Sequence, residues 1–435
     1  MKKIDIFDGD RLNQAPPIDT GAPARCRFFG TALDDSQVTV PFNDDLLGRH
    51  LLFLGGIGTG KTNALNQIIR QIRHSLTEQD IAVIFDTKGD FYREFYRPGD
   101  VVISNDDKAT GANGVNFWNI IGEIERGEHV EESILEIAKT LFKEKIETSN
   151  QPFFPNAAKD LFAALLTHAV RSGEIRTNLA LRQLINSCDI AEMQRILGLY
   201  PDLKAMTNYI ADARSPQTQG VLSELQQMTR EILIGNFQKE GTLSMRDLIR
   251  KKGGRVIFIE YDLGMGNALT PIYRLLFDLA IKESLSRKKS EGNVWFIADE
   301  FRLLPHLQHM EDAVNFGRSL GVKFLVGIQN VEQMYDSYGE SKAKSIMSGF
   351  LTNIIFRIND HTSREYARNL FGQNRKMEVF SSAVQTKGIT EQLRDANVVE
   401  DWNITRLKIG EAIVGLPGQE PFLFQFKQYE SQHGR

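Results

Sequence analysis

The chain has 435 residues, 41% of them apolar and 25% charged, with a formal net charge of −4. These values describe an ordinary globular protein of two or three domains at roughly 150 residues each. They exclude a polycation, so any nucleic-acid surface must be local, such as a groove or a pore rim. The two cysteines, Cys26 and Cys188, match no metal or disulfide spacing and fit a reducing cytoplasm. No signal-peptide pattern is visible, and no run approaches the roughly 18 apolar residues of a membrane span, so the chain is expected to be soluble.

Residues 1–45 carry turn signals at Gly9, Pro16, Pro17, Gly21 and Pro23, then an alternating stretch, Ser36 to Pro41, that suits an edge strand. Residues 1–22 read equally well as a flexible arm. Leu51 to Leu54 reads as a buried strand, and Asn63 to Ser75 as a helix with Leu65, Ile68, Ile69 and Ile72 at helical spacing. Between them, Gly55-Gly56-Ile57-Gly58-Thr59-Gly60-Lys61-Thr62 fits G-x-x-x-x-G-K-[ST] at every fixed position. Glycines let successive N–H groups turn into one concavity, and the helix N-terminus adds its positive dipole end. Lys61 is expected to reach the β- and γ-phosphates of a nucleotide, and the Thr62 hydroxyl to hold Mg²⁺. A second buried strand, Ile81 to Phe85, ends in Asp86-Thr87-Lys88-Gly89-Asp90. That ending is either ligand-edge chemistry, with Asp86 near the metal's water and Lys88 near phosphate or DNA, or a solvated turn. Val101 to Ile103 is a third strand.

From Gly122 to about Arg250 helical periodicity replaces strands. Ile134, Leu135, Ala138, Leu141 and Phe142 make one apolar stripe; Leu161, Phe162, Leu165, Leu166 and Ala169 make another. Eight Glu against four Lys or Arg over residues 122–149 give this segment an acidic face, either solvated or protein-docking. Strands resume at Arg255 to Glu260, followed by a helix over about Pro271–Lys288. Val294 to Ala298 is an apolar strand ending in Asp299-Glu300, which suits an acidic metal ligand, Asp299, followed by a general base, Glu300. A helix over about Leu307–Ser319 precedes the strand Val322–Ile328, whose end carries Gln329, a candidate γ-phosphate sensor. A strand over Asn353–Ile358, a helix over Asp360–Gly372 and a closing hairpin at 409–415 and 422–426 complete the chain.

Several of these stretches resemble one family. They are Arg49-His50-Leu51-Leu52 before the loop, Asp86 to Asp90, Asn116-Phe117-Trp118-Asn119 before the helical segment, Phe296 to Phe301, and Gly317-Arg318-Ser319-Leu320-Gly321-Val322 with Gly327 to Asn330. Over about residues 40–425 the chain is similar to the TraG/TraD-type coupling ATPases of conjugation and type IV secretion, within the HerA/FtsK class of DNA motors. One departure is Thr87, where the family usually has proline. The resemblance implies an α/β RecA-like P-loop NTPase with a central, mostly parallel sheet and an all-α insertion. The corresponding domains are an N-terminal arm and edge strand at 1–45, the nucleotide-binding domain at 46–121 and 251–435, and the insertion at 122–250.

It also implies ATP and Mg²⁺ as cofactors, and a ring, usually a hexamer, in which Arg318 serves as an arginine finger for a neighbour's ATP. DNA, a relaxase or other secretion substrate, and the secretion channel are the implied partners. Family members usually carry N-terminal membrane helices, which are absent from this sequence. Membrane contact is therefore expected only through a partner, from a cytoplasmic position at the inner face of the membrane. The expected function is ATP-driven DNA translocation. The rival readings are a HerA-like motor in repair or phage defence, and an ATP-dependent adaptor for protein substrates. Lys251, Lys252, Arg287, Lys288 and Lys289 are candidate DNA-gripping residues, or plain solvated surface.

Overall fold

The apolar runs become strands because both of their faces are covered. The computed structural model describes residues 4–17, 23–106, 116–286, 291–380 and 390–431. In chain order the strands are β1 (Ile4–Asp8), β2 (Cys26–Thr31), β3 (Gln37–Phe42), β4 (Leu51–Leu54), β5 (Ile81–Asp86), β6 (Val101–Ile103), β7 (Arg255–Glu260), β8 (Val294–Ala298), β9 (Val322–Ile328), β10 (Thr352–Ile355), β11 (Gln373–Phe380), β12 (Thr390–Asn397), β13 (Glu411–Gly415) and β14 (Phe422–Phe426). Eleven of them form one sheet in the order β3-β2-β14-β13-β10-β4-β9-β8-β5-β7-β6. Every pairing from β10 to β6 is parallel, and every pairing from β3 to β10 is antiparallel. This is the expected α/β P-loop architecture, with β3 as the anticipated edge strand.

Successive residues of the parallel strands enter opposite cores, as the pleat dictates. Leu52, Leu54, Val83, Phe85, Ile257 and Phe296 face one core, and the helix Gly266–Leu285 covers it with Ile272, Tyr273, Leu276 and Phe277. Leu51, Phe53, Ile84, Phe258 and Trp295 face the other, covered by Ala64, Leu65, Ile68, Ile69 and Ile72 of the helix Lys61–Ser75. Burial on both faces is why these strands read as continuous apolar runs.

Between β6 and β7, which pair with each other, the described residues form helices. The longest are Val130–Thr148, Phe153–Ser172 and Pro216–Ile232. Their apolar stripes join the core on one face of the sheet, except that Leu135, expected in the first stripe, is exposed and Ile137 is buried instead. An isolated bridge, Trp118 to Leu243, ties the start of this excursion to its end. Beneath it the fully buried Glu123 accepts hydrogen bonds from Trp118 Nε1 (3.0 Å) and from the backbone N–H groups of Met245 (2.7 Å) and Arg246 (3.0 Å). Asn119 caps the helix Ile120–Glu125 by accepting from Gly122 N–H at 2.9 Å. The Asn116–Asn119 stretch therefore works as a staple at the root of the helices.

Several boundaries differ from expectation for identifiable reasons. β10 ends at Ile355, because Phe356 to Ile358 leave the sheet to line the glycine loop: the Arg357 carbonyl accepts from Gly56 N–H at 3.0 Å. The helix expected over Leu307–Ser319 spans only Met310–Phe316, since His306 adopts a φ of 59°, and residues 317–320 tighten into a 3-10 turn. The helix expected at Pro271 begins earlier, at Gly266, and ends at Leu285; Lys288 lies outside the described residues. Within residues 1–22, Ile4–Asp8 forms a strand, and β1, β11 and β12 make a separate antiparallel sheet in that strand order, β1-β11-β12. No helix among the described residues is long and apolar enough to cross a membrane. Cys26 and Cys188 are both free.

Candidate active site

Strand order decides which side chains meet. β9 lies between β4 and β8, so the glycine loop after β4, Gln329 after β9 and Asp299-Glu300 after β8 emerge side by side. They emerge at the carboxyl edge, where parallel α/β sheets bind ligands.

The loop's shape depends on glycine at defined places. Gly58 and Gly60 adopt φ values of 71° and 115°, in the left-handed region that other residues rarely enter. At Gly55 a Cβ would come within 2.6 Å of Phe356 Cβ. The loop is braced from two sides: Gly55 N–H donates to Ile328 O (3.2 Å), and Gly410 N–H donates to Thr59 O (2.8 Å). The Thr59 hydroxyl bonds Gly56 O at 2.8 Å. Ile57, at the loop's tip, is 82% exposed. The concavity ends at Lys61, the first residue of its helix, whose ammonium donates to the carbonyls of Gly55 (2.6 Å) and Gly56 (3.0 Å). Burial pushes that ammonium below the usual lysine value, and Asp299 and Glu300 oppose the shift.

Thr62 Oγ1 donates to Asp299 Oδ2 at 2.6 Å across 237 residues of sequence. The other oxygen, Asp299 Oδ1, is sealed from solvent and has no hydrogen-bond partner among the described residues. Burial raises the Asp299 carboxyl above its usual value, while the Thr62 hydrogen bond and Lys61 pull the other way. An unsatisfied buried carboxylate oxygen beside a threonine hydroxyl is the donor set a hard divalent cation takes, so these residues fit Mg²⁺. Gly327 makes the approach possible: a Cβ there would lie 2.3 Å from Asp299 O and 3.1 Å from Asp299 Oδ1.

Glu300 is held on both oxygens. Gln329 Nε2 donates to Oε2 at 2.5 Å, and Arg302 Nε to Oε1 at 3.0 Å. Arg302 was not foreseen; an arginine two residues past a carboxylate on a loop gives no periodic signal. Gly410 and the Arg357 carbonyl were likewise invisible, because they reach the loop only through tertiary packing.

The other candidates lie elsewhere or serve the scaffold. Arg318 precedes β9, at the opposite edge of the sheet, where it pairs with Asp45; both side chains are about half exposed, at 44% and 50%. Asp86 accepts from the N–H groups of Tyr92 (2.8 Å) and Lys88 (3.3 Å), so its carboxylate orders its own turn. Lys88 is exposed at the rim, near enough to influence Lys61 and Asp299. Lys251 is exposed and pairs with Asp247 at 3.3 Å. Lys252 is 7% exposed with its ammonium on the Glu291 carbonyl, so it offers no surface to DNA. Arg287, Lys288 and Lys289 lie outside the described residues.

The chain is similar to known proteins in sequence and in fold. The Escherichia coli (strain K12) protein "Coupling protein TraD" is 23% identical over 331 residues, covering 74% of this chain and 44% of the relative. The "Type IV secretion system-coupling protein VirD4" of Bartonella quintana (strain Toulouse) is 22% identical, covering 70% and 50%. The chain thus spans about half the length of the curated relatives it matches. Among solved structures, the fold is similar to the bacterial conjugative coupling protein TrwBdeltaN70 in complex with sulphate (TM-score 0.77, 20% identity, 98% of this chain and 96% of that one). It is also similar to the plasmid coupling protein TrwB in complex with ADP and Mg²⁺ (TM-score 0.75, 19% identity, 99% and 96%). The family model described as "Type IV secretion-system coupling protein DNA-binding domain" matches residues 36–424, nearly the whole chain, and the chain belongs to that family.

Proposed function

We propose that this chain is an ATP-hydrolysing DNA translocase of the conjugative coupling type, which delivers DNA or a relaxase–DNA complex to a type IV secretion channel. The observation that carries the reading is the meeting of Thr62, Asp299, Glu300 and Gln329 beside the glycine loop, in a chain of the coupling-protein family. The loop's N–H groups and Lys61 bind the β- and γ-phosphates, with Lys61 exchanging the Gly55 and Gly56 carbonyls for phosphate oxygens. Thr62 and Asp299 would hold Mg²⁺, which would supply neutralisation of phosphate charge. Glu300 accepts the proton of the water that attacks the γ-phosphorus. Gln329, bonded to Glu300, reports the state of the γ-phosphate to β9.

The same reading assigns 46–121 and 251–435 to the nucleotide-binding domain and 122–250 to a helical insertion. It assembles the chain as a homo-hexamer around DNA. The placement of Arg318 at the edge opposite its own glycine loop supports a role on a neighbour's ATP, since it cannot serve its own. Secretion-channel components and the membrane are then met through partners. The test is steady-state ATP hydrolysis with and without DNA, for the unmodified chain and Glu300→Gln. Stimulation by DNA that Glu300→Gln abolishes supports the reading; turnover indifferent to DNA contradicts it.

A further inference from the structure

We propose that the base of a bound nucleoside triphosphate rests on Ile409, an apolar platform that takes adenine and guanine alike; the inference rests on the reading of the glycine loop as a triphosphate cradle. The direction of the nucleotide follows from strand order. Asp299, Glu300 and Gln329 mark the γ-phosphate end, and they follow β8 and β9, on one side of β4. In a glycine-loop site the α-phosphate lies on the loop and on the first N–H groups of the helix behind it. The nucleoside therefore leaves on the other side of β4, towards β10 and β13.

That side is flanked by the turn 406–410, which leads into β13. Gly410 N–H donates to Thr59 O at 2.8 Å, and a Cβ on Gly60 would stand 2.9 Å from Gly410 Cα, so the turn lies directly against the loop. Gln425 Nε2 fixes it further by donating to Ile409 O at 3.2 Å. Leu407 and Gly410 are buried, yet the Ile409 side chain between them is 68% exposed. A branched apolar side chain on a fixed backbone beside the cradle suits the flat face of a base. The amide side chains on this flank are spent on the scaffold. Asn63, next after Thr62, donates to Lys427 O at 3.0 Å and accepts from Tyr429 N–H at 2.7 Å. Gln425 donates to Phe426 O (3.4 Å) as well as to Ile409 O. An amide reads a purine edge with a donor and an acceptor together, and neither amide keeps that pair. Arg406 and Lys408 are exposed and carry donors only, for which N7 is an acceptor on both purines. The base is thus held by its face and not by its edge, and the chain takes GTP as well as ATP.

The test is calorimetric titration with Mg²⁺ and three probes, the β,γ-imido analogues of ATP and GTP and inorganic tripolyphosphate, which has no base. The proteins are the unmodified chain and Ile409→Ala, and neither DNA nor turnover is needed. The two imido analogues should bind the unmodified chain with Kd values within about tenfold of each other, the discrimination an apolar contact supplies. Ile409→Ala should weaken both by about fivefold, the scale of covering roughly half of an isoleucine side chain, and leave tripolyphosphate binding unchanged. A preference for one purine above tenfold overturns the proposal by showing that the base edge is read, and this comparison needs no variant to fold. Analogue binding unchanged in Ile409→Ala overturns the platform. Tripolyphosphate weakened as much as the analogues overturns it too, by making Ile409 a support of the loop. An unmodified chain that binds none of the three probes overturns the cradle reading and the platform with it.

Discussion

Gly327 offers a sharp test of the site, because it touches no nucleotide and yet sets the position of Asp299. In Gly327→Ala the new methyl would stand 2.3 Å from Asp299 O and 3.0 Å from Asp299 C. The first contact is roughly 1 Å short of van der Waals distance, so either β9 or the end of β8 must move by about that much. β9 is buried along its whole length between β4 and β8, which leaves the Asp299 turn as the part that yields. The 2.6 Å bond from Thr62 to Asp299 has no slack for such a shift. Overpacking of this kind costs about 1–3 kcal/mol of stability, and a 1 Å misplacement at a reacting site costs about 10²-fold in rate. The assay is MgATP turnover beside urea denaturation of the same preparation. A folded Gly327→Ala with ordinary turnover would show that the Asp299 position does not govern the chemistry.

Further predictions concern charge. Asp299→Asn should raise the thermal midpoint slightly, by about 0.5–2 kcal/mol of stability, while abolishing turnover, because a buried charge that folding disfavours is removed along with the proposed metal ligand; a lowered midpoint would refute it. Asp100 is buried and accepts from Arg73 at 2.7 Å, Val256 N–H at 2.8 Å and Arg97 N–H at 2.8 Å. Asp100→Ala leaves the Arg73 charge stranded and should cost about 3–5 kcal/mol in urea denaturation. Burial opposes a charge on His309, but its 3.1 Å bond to Asp278 and the carboxylates of Asp278 and Glu136 outweigh burial and raise its value above the ordinary one. Such a histidine lends stability that is fully present below its unfolded value of roughly 6.5 and is lost as pH rises through the folded value. The urea midpoint should therefore fall more between about pH 6 and pH 8.5 in the unmodified chain than in His309→Gln; parallel curves would refute this.

What the sequence discloses and what it hides follow from the range of the interactions. The glycine loop was legible because its chemistry is written in eight consecutive residues, and β8 because an apolar run stops abruptly at Asp299-Glu300. Gln329 was legible as a strand-end amide, though its bond to Glu300 became visible only once β9 was seen to lie between β4 and β8. Arg302, Gly410 and the Arg357 carbonyl carry no local pattern. β1, β11 and β12 escaped because their stabilisation lies in mutual pairing, as Arg375 opposite Asp395 in β11 and β12 illustrates, and not in an apolar run. The Asn116–Asn119 stretch stands out in the sequence only by resemblance, while its physical role, closing the helical excursion over Glu123, depends on partners more than 120 residues away.

The central claim is movement along DNA driven by this site, and the most direct measurement is displacement of a bound roadblock, such as streptavidin from biotin-ended DNA. With ATP and Mg²⁺ the chain should release the roadblock in proportion to ATP consumed. It should release none with a non-hydrolysable ATP analogue or as Glu300→Gln. Hydrolysis that proceeds on DNA while the roadblock stays in place would contradict the account.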